Sequence, residues 1–364
     1  MARTIITATP ATGLTGSTIT TTTTEGVVES VEDIIELISP WETPFISALE
    51  KVGVNDVVHY WQEDELRAAV RNNAKQQGYE PSAAADWSTS TPGMKQNWVQ
   101  LFTETARVSG TAARVQWYGR GDPMDYEVMK RGREVRRDVE ASCLGDQNGV
   151  APVVAAAAGT YPNAPGTGTV ARLAGVGRLI DAANQLFGGS GAVSGTAGSA
   201  AGLSVTTGTT RAFTETLLLQ AQKAAYDQGG NPTTAIMMPY LAQIMANFAY
   251  IDPTGGLNAT RARILQGAKE STLINVVDIY KSPYGTLAVL IDRYAQGALS
   301  GESDEGHVAI VDPDLWALGV LREMQSEPLA KTGDNEKRLL TAEYTLINRA
   351  TKGAAYIRDL DTTP

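Results

Sequence analysis

An α+β fold is what this sequence predicts, on three observations. A strongly periodic, capped helix spans "DPMDYEVMKRGREVRRDVEASCLG" at residues 122–145; strand-like alternation dominates "KRLLTAEYTLINR" at 337–349; and helical and strand segments are segregated along the chain. The strands are expected to pair antiparallel, with helices packed on them through narrow apolar faces. At 364 residues the chain exceeds the usual single-core size, so two or more sub-domains are expected.

The elements follow in order. Residues 1–26, "MARTIITATPATGLTGSTITTTTTEG", are Thr- and Gly-rich and cannot alone bury enough apolar surface to offset their ordering entropy. They read either as a tail or as an arm lying on a neighbour; lacking an apolar block, they do not read as a signal peptide. "VESVEDIIELIS" is an amphipathic helix, and it runs into "ISPWETPF" at 38–45, where Pro40 and Pro44 hold Trp41 and Phe45 around Glu42. Two prolines four apart make a stiff elbow. "NDVVHYWQEDEL" switches to a strand pattern, residues 71–95 are polar and aperiodic, and "MKQNWVQLFTETARVSGT" returns as a second strand. The pair makes an extended hairpin, and an isolated ribbon of that kind must lie on its own body or on a partner.

In the long helix, Asp122 is the N-cap and Pro123 the first helical residue. Val128, Gly132, Val135, Val139 and Cys143 form one thin apolar stripe. Glu127 with Arg131 and Arg136 with Glu140 are i, i+4 pairs expected on the wet side. Residues 145–212 turn to Gly, Ala, Ser and Thr, and only "VARLAGVGRLIDAANQLF" there has structure potential. "TETLLLQAQKAAYDQGGNP" is a helix stopped by Gly229, Gly230 and Pro232; "TAIMM" is a short buried strand and "PYLAQIMANFAY" a helix. "STLINVVDIYKSPYGTLAVLIDRY" is a hairpin turning at Ser282–Gly285, and "HVAIVDPDLWALGVLR" adds strands. In the alternating strand Leu340, Ala342, Tyr344 and Leu346 share one face, and "GAAYIRDL" closes the chain.

Composition excludes several classes. The net charge of -10 argues against a body that wraps nucleic acid, though not against one that encloses it. A single cysteine, Cys143, rules out an internal disulfide and a thiolate zinc cage, and suits a reducing cytoplasm. No apolar run approaches the ~20 residues of a membrane span, so the chain is expected to be soluble and intracellular at synthesis.

No convergent chemistry emerges. His59 and His307 are far apart and unmatched to any HExxH pair. Cys143 lies on the apolar stripe of its helix, where an inert thiol is expected. "GTGTVA" at 166–171 has no strand before it; "GAKES" and "AKTGD" lack phosphate-loop spacing; no GxSxG elbow exists. "GESDEGH" and Asp312-Pro313-Asp314 could offer carboxylates to a divalent cation, but a solvated loop and a strand-to-turn junction are the default readings. We therefore predict no catalytic, cofactor-binding or metal residues, and a chain built for contacts.

Six segments occur in a telling order: "DIIELISPWETPFISALEK", "NWVQLFTETARVSGT", "EVMKRGREVRRDVEASCLGDQNG", "AYDQGGNPTTAIM", "YGTLAVLIDR" and "VDPDLWALGVLREMQSEPLAKTGDNEKRLLTAEYTL". Together, over roughly residues 27–360, they resemble tailed-bacteriophage major capsid proteins with the Hong Kong 97-type fold. The resemblance implies an N-terminal arm at 1–54, an extended hairpin loop at 55–108, and a peripheral domain with its spine helix at 109–148. It implies an axial domain at 212–311, peripheral return strands and a loop at 312–349, and a C-terminal strand near the axial domain at 350–364. Residues 149–211 have no settled counterpart and read as an insertion or a surface loop.

The function implied is self-assembly, through pentamers and hexamers, into an icosahedral head around double-stranded DNA held without sequence-specific binding. Partners would include a separate scaffolding protein, a portal and a decoration protein, with no membrane. On that reading Trp41, Phe45, Trp61 and Trp98 are interface aromatics, the alternative for each being the subunit's own core. Lys331 and Asp334 in "EPLAKTGD" are expected to make polar contacts between subunits. The same fold also serves cellular nanocompartment shells, which is the competing role. An enzyme or small-molecule binder using the Gly-rich segment is a third.

Overall fold

A computed structural model describes residues 42–81, 92–117, 121–152, 170–200, 202–248, 278–295 and 306–362. The amphipathic helix expected before the elbow, Trp41, most of "GTGTVA", and residues 301–305 of the acidic loop lie outside the described residues.

The described chain begins with a short helix α1 (Pro44–Ala48), which Pro44 starts, and passes into strand β1 (Glu50–Gly53). Strands β2 (Val58–Glu63) and β3 (Gly93–Trp98) pair antiparallel from Val58 opposite Trp98 to Glu63 opposite Gly93. The second hairpin arm is not one strand, as its sequence suggested. It breaks at Val99, and β4 (Gln100–Ser109) leaves for a different sheet. Val99 is buried at the junction.

The long helix α2 (Pro123–Leu144) has the predicted start: the Asp122 carboxylate accepts the Met124 N–H at 2.8 Å. Its stripe is buried through Val135, Val139 and Cys143, and Met324 and Leu340 lie against the helix at Gly132. On the outer side Arg131 reaches Glu134 at 2.6 Å and Glu127 at 4.0 Å. The expectation for Arg136 and Glu140 is corrected. Glu140 is fully buried and accepts backbone N–H groups of α1, while Arg136 donates to Thr43. An i, i+4 spacing reports only that two residues share a face, not that water covers it.

The Gly/Ala-rich stretch holds α3 (Val176–Leu179), β5 (Gln185–Leu186) and a hairpin of β6 (Ala192–Gly195) with β7 (Leu203–Thr206) that composition concealed. Leu173, Val176, Leu179, Ile180 and Leu203 are fully buried, so part of this stretch crosses the core. Helix α4 (Glu215–Asp227) is capped by Thr214 and stopped at Gly229, whose φ of +88° suits glycine. Strand β8 (Thr234–Met237), helix α5 (Pro239–Asn247) and the hairpin β9 (Ile279–Ser282) with β10 (Gly285–Ile291) follow as predicted. The chain ends through β11 (Gly306–Val311), the long strands β12 (Trp316–Pro328) and β13 (Asn335–Asn348), and β14 (Ala355–Leu360).

Two sheets organise these elements. One has the order β1-β12-β13-β4 and carries α2 on it; the other has the order β5-β14-β11-β8-β10-β9. The antiparallel expectation holds for most pairs, but β1 with β12, β8 with β10 and β5 with β14 run parallel. The first core gathers Phe45, Val135, Val139, Cys143, Leu346 and Trp316 between helix and sheet. The second gathers Leu218, Met237, Leu241, Leu287 and Ile310 around the six-stranded sheet. Strand β13 is central in its sheet, and Thr345 and Ile347 are buried along with the predicted Ala342 and Leu346.

Candidate functional site

The surfaces available for contact are set by what the subunit anchors and what it leaves bare. Every residue from 64 to 81 is exposed, and Leu66 reaches 97%. Val70 and Tyr79 are exposed in the same stretch.

The base of this loop, by contrast, is bolted down. Asn97 is buried and satisfied on both sides of its amide. Its Nδ2 donates to Leu346 O (2.7 Å) and Ala174 O (3.2 Å), and its Oδ1 accepts from Ala174 N and Trp98 N. Glu63 accepts from the Thr351 N–H at 2.7 Å and from the Thr351 hydroxyl, and pairs with Lys95 at 3.5 Å. Lys352 pairs with Glu65, two residues further out. Lys95 Nζ also donates to Ala197 O, and Gln96 N to Gly198 O, so the β6–β7 hairpin buttresses the same arm. These polar bonds fix the direction in which residues 64–81 leave the body.

Charge-assisted hydrogen bonds at a half-buried site are worth about 2 kcal/mol. Glu63→Ala is therefore expected to speed amide exchange across β2 and β3 about tenfold or more, with the sheet carrying β13 unaffected. Hydrogen exchange read by mass spectrometry checks this; unchanged exchange in β2 and β3 would show that the Glu63 bonds do not hold the hairpin.

The four aromatic candidates separate. Phe45 is 2% exposed and fills the subunit's own core, the second of the two readings its sequence allowed. Trp61 is half-buried against the same core with its ring stacked 6.1 Å from His59, and Trp98 is half-buried beside Gly149. Both sit on the hairpin base, where part of each ring remains accessible. Trp41 lies outside the described residues.

Lys331 and Asp334 are exposed at the tip of the β12–β13 ribbon. The loop is closed by Leu329 N to Lys337 O (2.9 Å) and by Lys337 Nζ to Thr332 Oγ1 (2.7 Å). The Asp334 carbonyl accepts the Gly110 N–H at 3.1 Å, and its carboxylate lies where a Cβ on Gly110 would stand. The tip is thus held to the end of β4, and its charges stay in water.

Sequence reasoning missed an ion cluster beneath this frame. The Arg358 guanidinium is 5% exposed, pairs with Asp146, and donates to Gln185 Oε1 (2.8 Å) and Gly177 O (2.9 Å) over the Tyr356 ring. Arg178 pairs with the same Asp146 at 3.0 Å and donates to Leu203 O at 2.7 Å. One carboxylate just past the spine helix thereby ties the C-terminal strand to the Gly-rich stretch. The available signal was a pair of charges, Arg358 and Asp359, inside an otherwise apolar strand.

Cys143 is fully buried, and burial pushes its thiol far up, so the thiolate nucleophile is disfavoured. Burial lowers His59 below its ordinary value, and His307 is buried with its ring tilted on Tyr356. Among the described residues no group of three His, Cys, Asp or Glu could hold a metal ion, and no helix is long and apolar enough to cross a membrane.

Comparison with known proteins places this architecture. Residues 15–361 match a family model described as SU10 major capsid protein. The major capsid protein of Escherichia phage Phieco32 is 36% identical over 113 residues, a match that spans 31% of each chain. Among solved structures, the capsid of a native GTA particle covers 95% of this chain and all of its own, at TM-score 0.57 and 9% identity. The SrpI encapsulin of Synechococcus elongatus PCC 7942 covers 93% of this chain and 94% of its own, at TM-score 0.52 and 7% identity. These two likenesses carry the fold, and the fold is of the Hong Kong 97 type.

Proposed function

We propose, for a chain that belongs to the SU10 major capsid protein family, that it assembles through pentamers and hexamers into the icosahedral head of a tailed phage. The observation that carries this reading is the contrast at the hairpin: a base held by Asn97 and Glu63, and an outer stretch, 64–81, with every residue bare. A segment aimed by its own subunit yet left exposed along its length is what a strap over a neighbour requires. Many such contacts, each modest, become strong when every subunit makes several at once.

On this reading residues 1–54 form the arm, 55–108 the strap and 212–311 the axial domain, while Trp41, Trp61, Trp98, Lys331 and Asp334 meet neighbouring subunits. The net charge of -10 suits a wall that encloses double-stranded DNA without gripping it. Assembly would occur in the host cytoplasm with a separate scaffolding protein, a portal and a decoration protein. The subunit's work is contact rather than catalysis. A nanocompartment shell shares the fold, but the family match favours the phage head.

Sedimentation of the expressed full-length chain tests this. Closed particles of megadalton mass are expected, alone or with a co-expressed scaffolding protein. A chain that stays a monomer or small oligomer under both conditions would overturn the reading.

A further inference from the structure

The buried Glu140 has no place in the ion pairs that stabilise the rest of the spine helix. Its Oε1 accepts the Phe45 N–H at 2.7 Å and its Oε2 accepts the Ile46 N–H at 2.8 Å, so both oxygens serve the free N-terminal amides of α1. Across from it stands a second carboxyl, Asp292, 1% exposed at the exit of β10. Asp292 Oδ1 accepts the Tyr294 N–H at 2.7 Å, and its backbone N–H goes to Met237 O. Asp292 Oδ2 is buried and receives no donor from any described residue.

Two facing carboxylates without a donor between them cannot both stay ionised in a dry site. A proton on one lets it donate to the other and satisfies the orphaned oxygen at once. We infer that Glu140 holds a proton that it donates to the orphaned Asp292 Oδ2, and that this contact is a pH-responsive latch holding α1 to the spine helix and to the exit of β10. Burial first, and then Asp292, push Glu140 up to about 9, against the opposing pull of the Phe45 and Ile46 amides.

Among the described residues the surrounding charges do not neutralise the pair. From α2, Arg136 is spent on Thr43 Oγ1 (3.2 Å) and Ser47 Oγ (3.4 Å), Arg137 bonds Tyr294, and Cys143 is a neutral thiol. The exit of β10 contributes Arg293 and Tyr294, whose phenol burial raises; β8 offers a backbone carbonyl and α1 only its amides and the hydroxyls of Thr43 and Ser47.

The sign follows from linkage. An acid whose value rises on folding binds its proton more tightly in the folded chain. The stability it contributes is therefore fully present below the ordinary 4.5 and drains away as pH climbs to about 9. The latch is a property of the subunit and stands apart from the shell reading. If that reading holds, the hold of the spine helix on α1 responds to pH.

Asp292→Asn is the decisive variant. Its Oδ1 still accepts from Tyr294, and its Nδ2 donates permanently to Glu140, imitating the protonated pair. For the full-length wild-type chain the melting temperature should fall by at least about 5 °C between about pH 5 and about pH 9. The variant's should stay level over the same range and exceed the wild type at the alkaline end. A variant whose curve runs parallel to the wild type would overturn the latch. A second measurement needs no variant: the wild-type infrared spectrum at neutral pH should keep a protonated-carboxyl band that fades as pH rises through about 9. Absence of that band would equally overturn it.

Discussion

Replacing residues 66–90 by a two-residue Asn-Gly turn, which keeps Glu63 opposite Gly93, is expected to abolish closed particles while leaving a folded subunit. The deletion removes the bare stretch and spares Glu63, Glu65, Lys95 and Asn97, so every bond that docks β2 and β3 to the body survives. Asn-Gly supplies the positive φ angles that a tight hairpin needs. None of residues 64–81 belongs to a buried cluster, so the melting temperature should move by only a few degrees. Assembly should respond far more strongly, because a contact repeated at every subunit multiplies across the shell. A drop of about a hundredfold or more in pelletable particles follows from losing even a few kcal/mol per subunit. Normal particle yield from this deletion would sink the strap.

Asp146→Ala is expected to have the largest effect on the subunit itself. Removing this carboxylate leaves Arg358 at 5% exposure and Arg178 at 12% as neighbouring buried cations with no anion between them. Breaking a buried pair from one side costs about 3–5 kcal/mol, chiefly because the abandoned charge stays desolvated. Arg358 keeps Gln185 and Gly177, and Arg178 keeps Leu203, which limits the damage to loss of the charge balance. Chemical denaturation of the full-length chain should show that loss, and a partner change of Arg358→Met should recover part of it. A shift below about 1 kcal/mol would mean that water reaches the cluster and already screens it.

Much of this architecture could be read before any coordinates. The spine helix announced its own start through Asp122-Pro123, since a cap and a fixed φ are local properties. The turn at Ser282–Gly285 and the alternation of β13 were legible for the same reason. The break at Val99 was not, because both halves of that arm are equally strand-like and only the sheet each half joins distinguishes them. The parallel pairing of β1 with β12 joins residues far apart in sequence, and no local pattern encodes it.

Buried polar groups were the least legible. Asn97, Glu140 and Arg358 look like surface residues by type, yet each is buried where backbone groups or a counter-charge need it. The surface proposed for contact was legible as a long polar excursion between two strands. Which aromatics face outward was not, and Phe45 shows why, since a proline elbow can turn a large ring inward as readily as outward. The pocket beside that elbow, about 490 Å3 and lined by Ile46, Leu49, Arg136, Met324 and Tyr344, is likewise a product of tertiary packing alone.

Electron cryomicroscopy of the assembled particle, at a resolution that traces side chains, is the most direct measurement of whether one subunit straps another. Residues 64–81 should lie across an adjoining subunit, with Leu66 and Tyr79 losing most of the exposure they have in the isolated chain. A closed shell in which that stretch folds back on its own subunit, leaving the neighbour untouched, would contradict it.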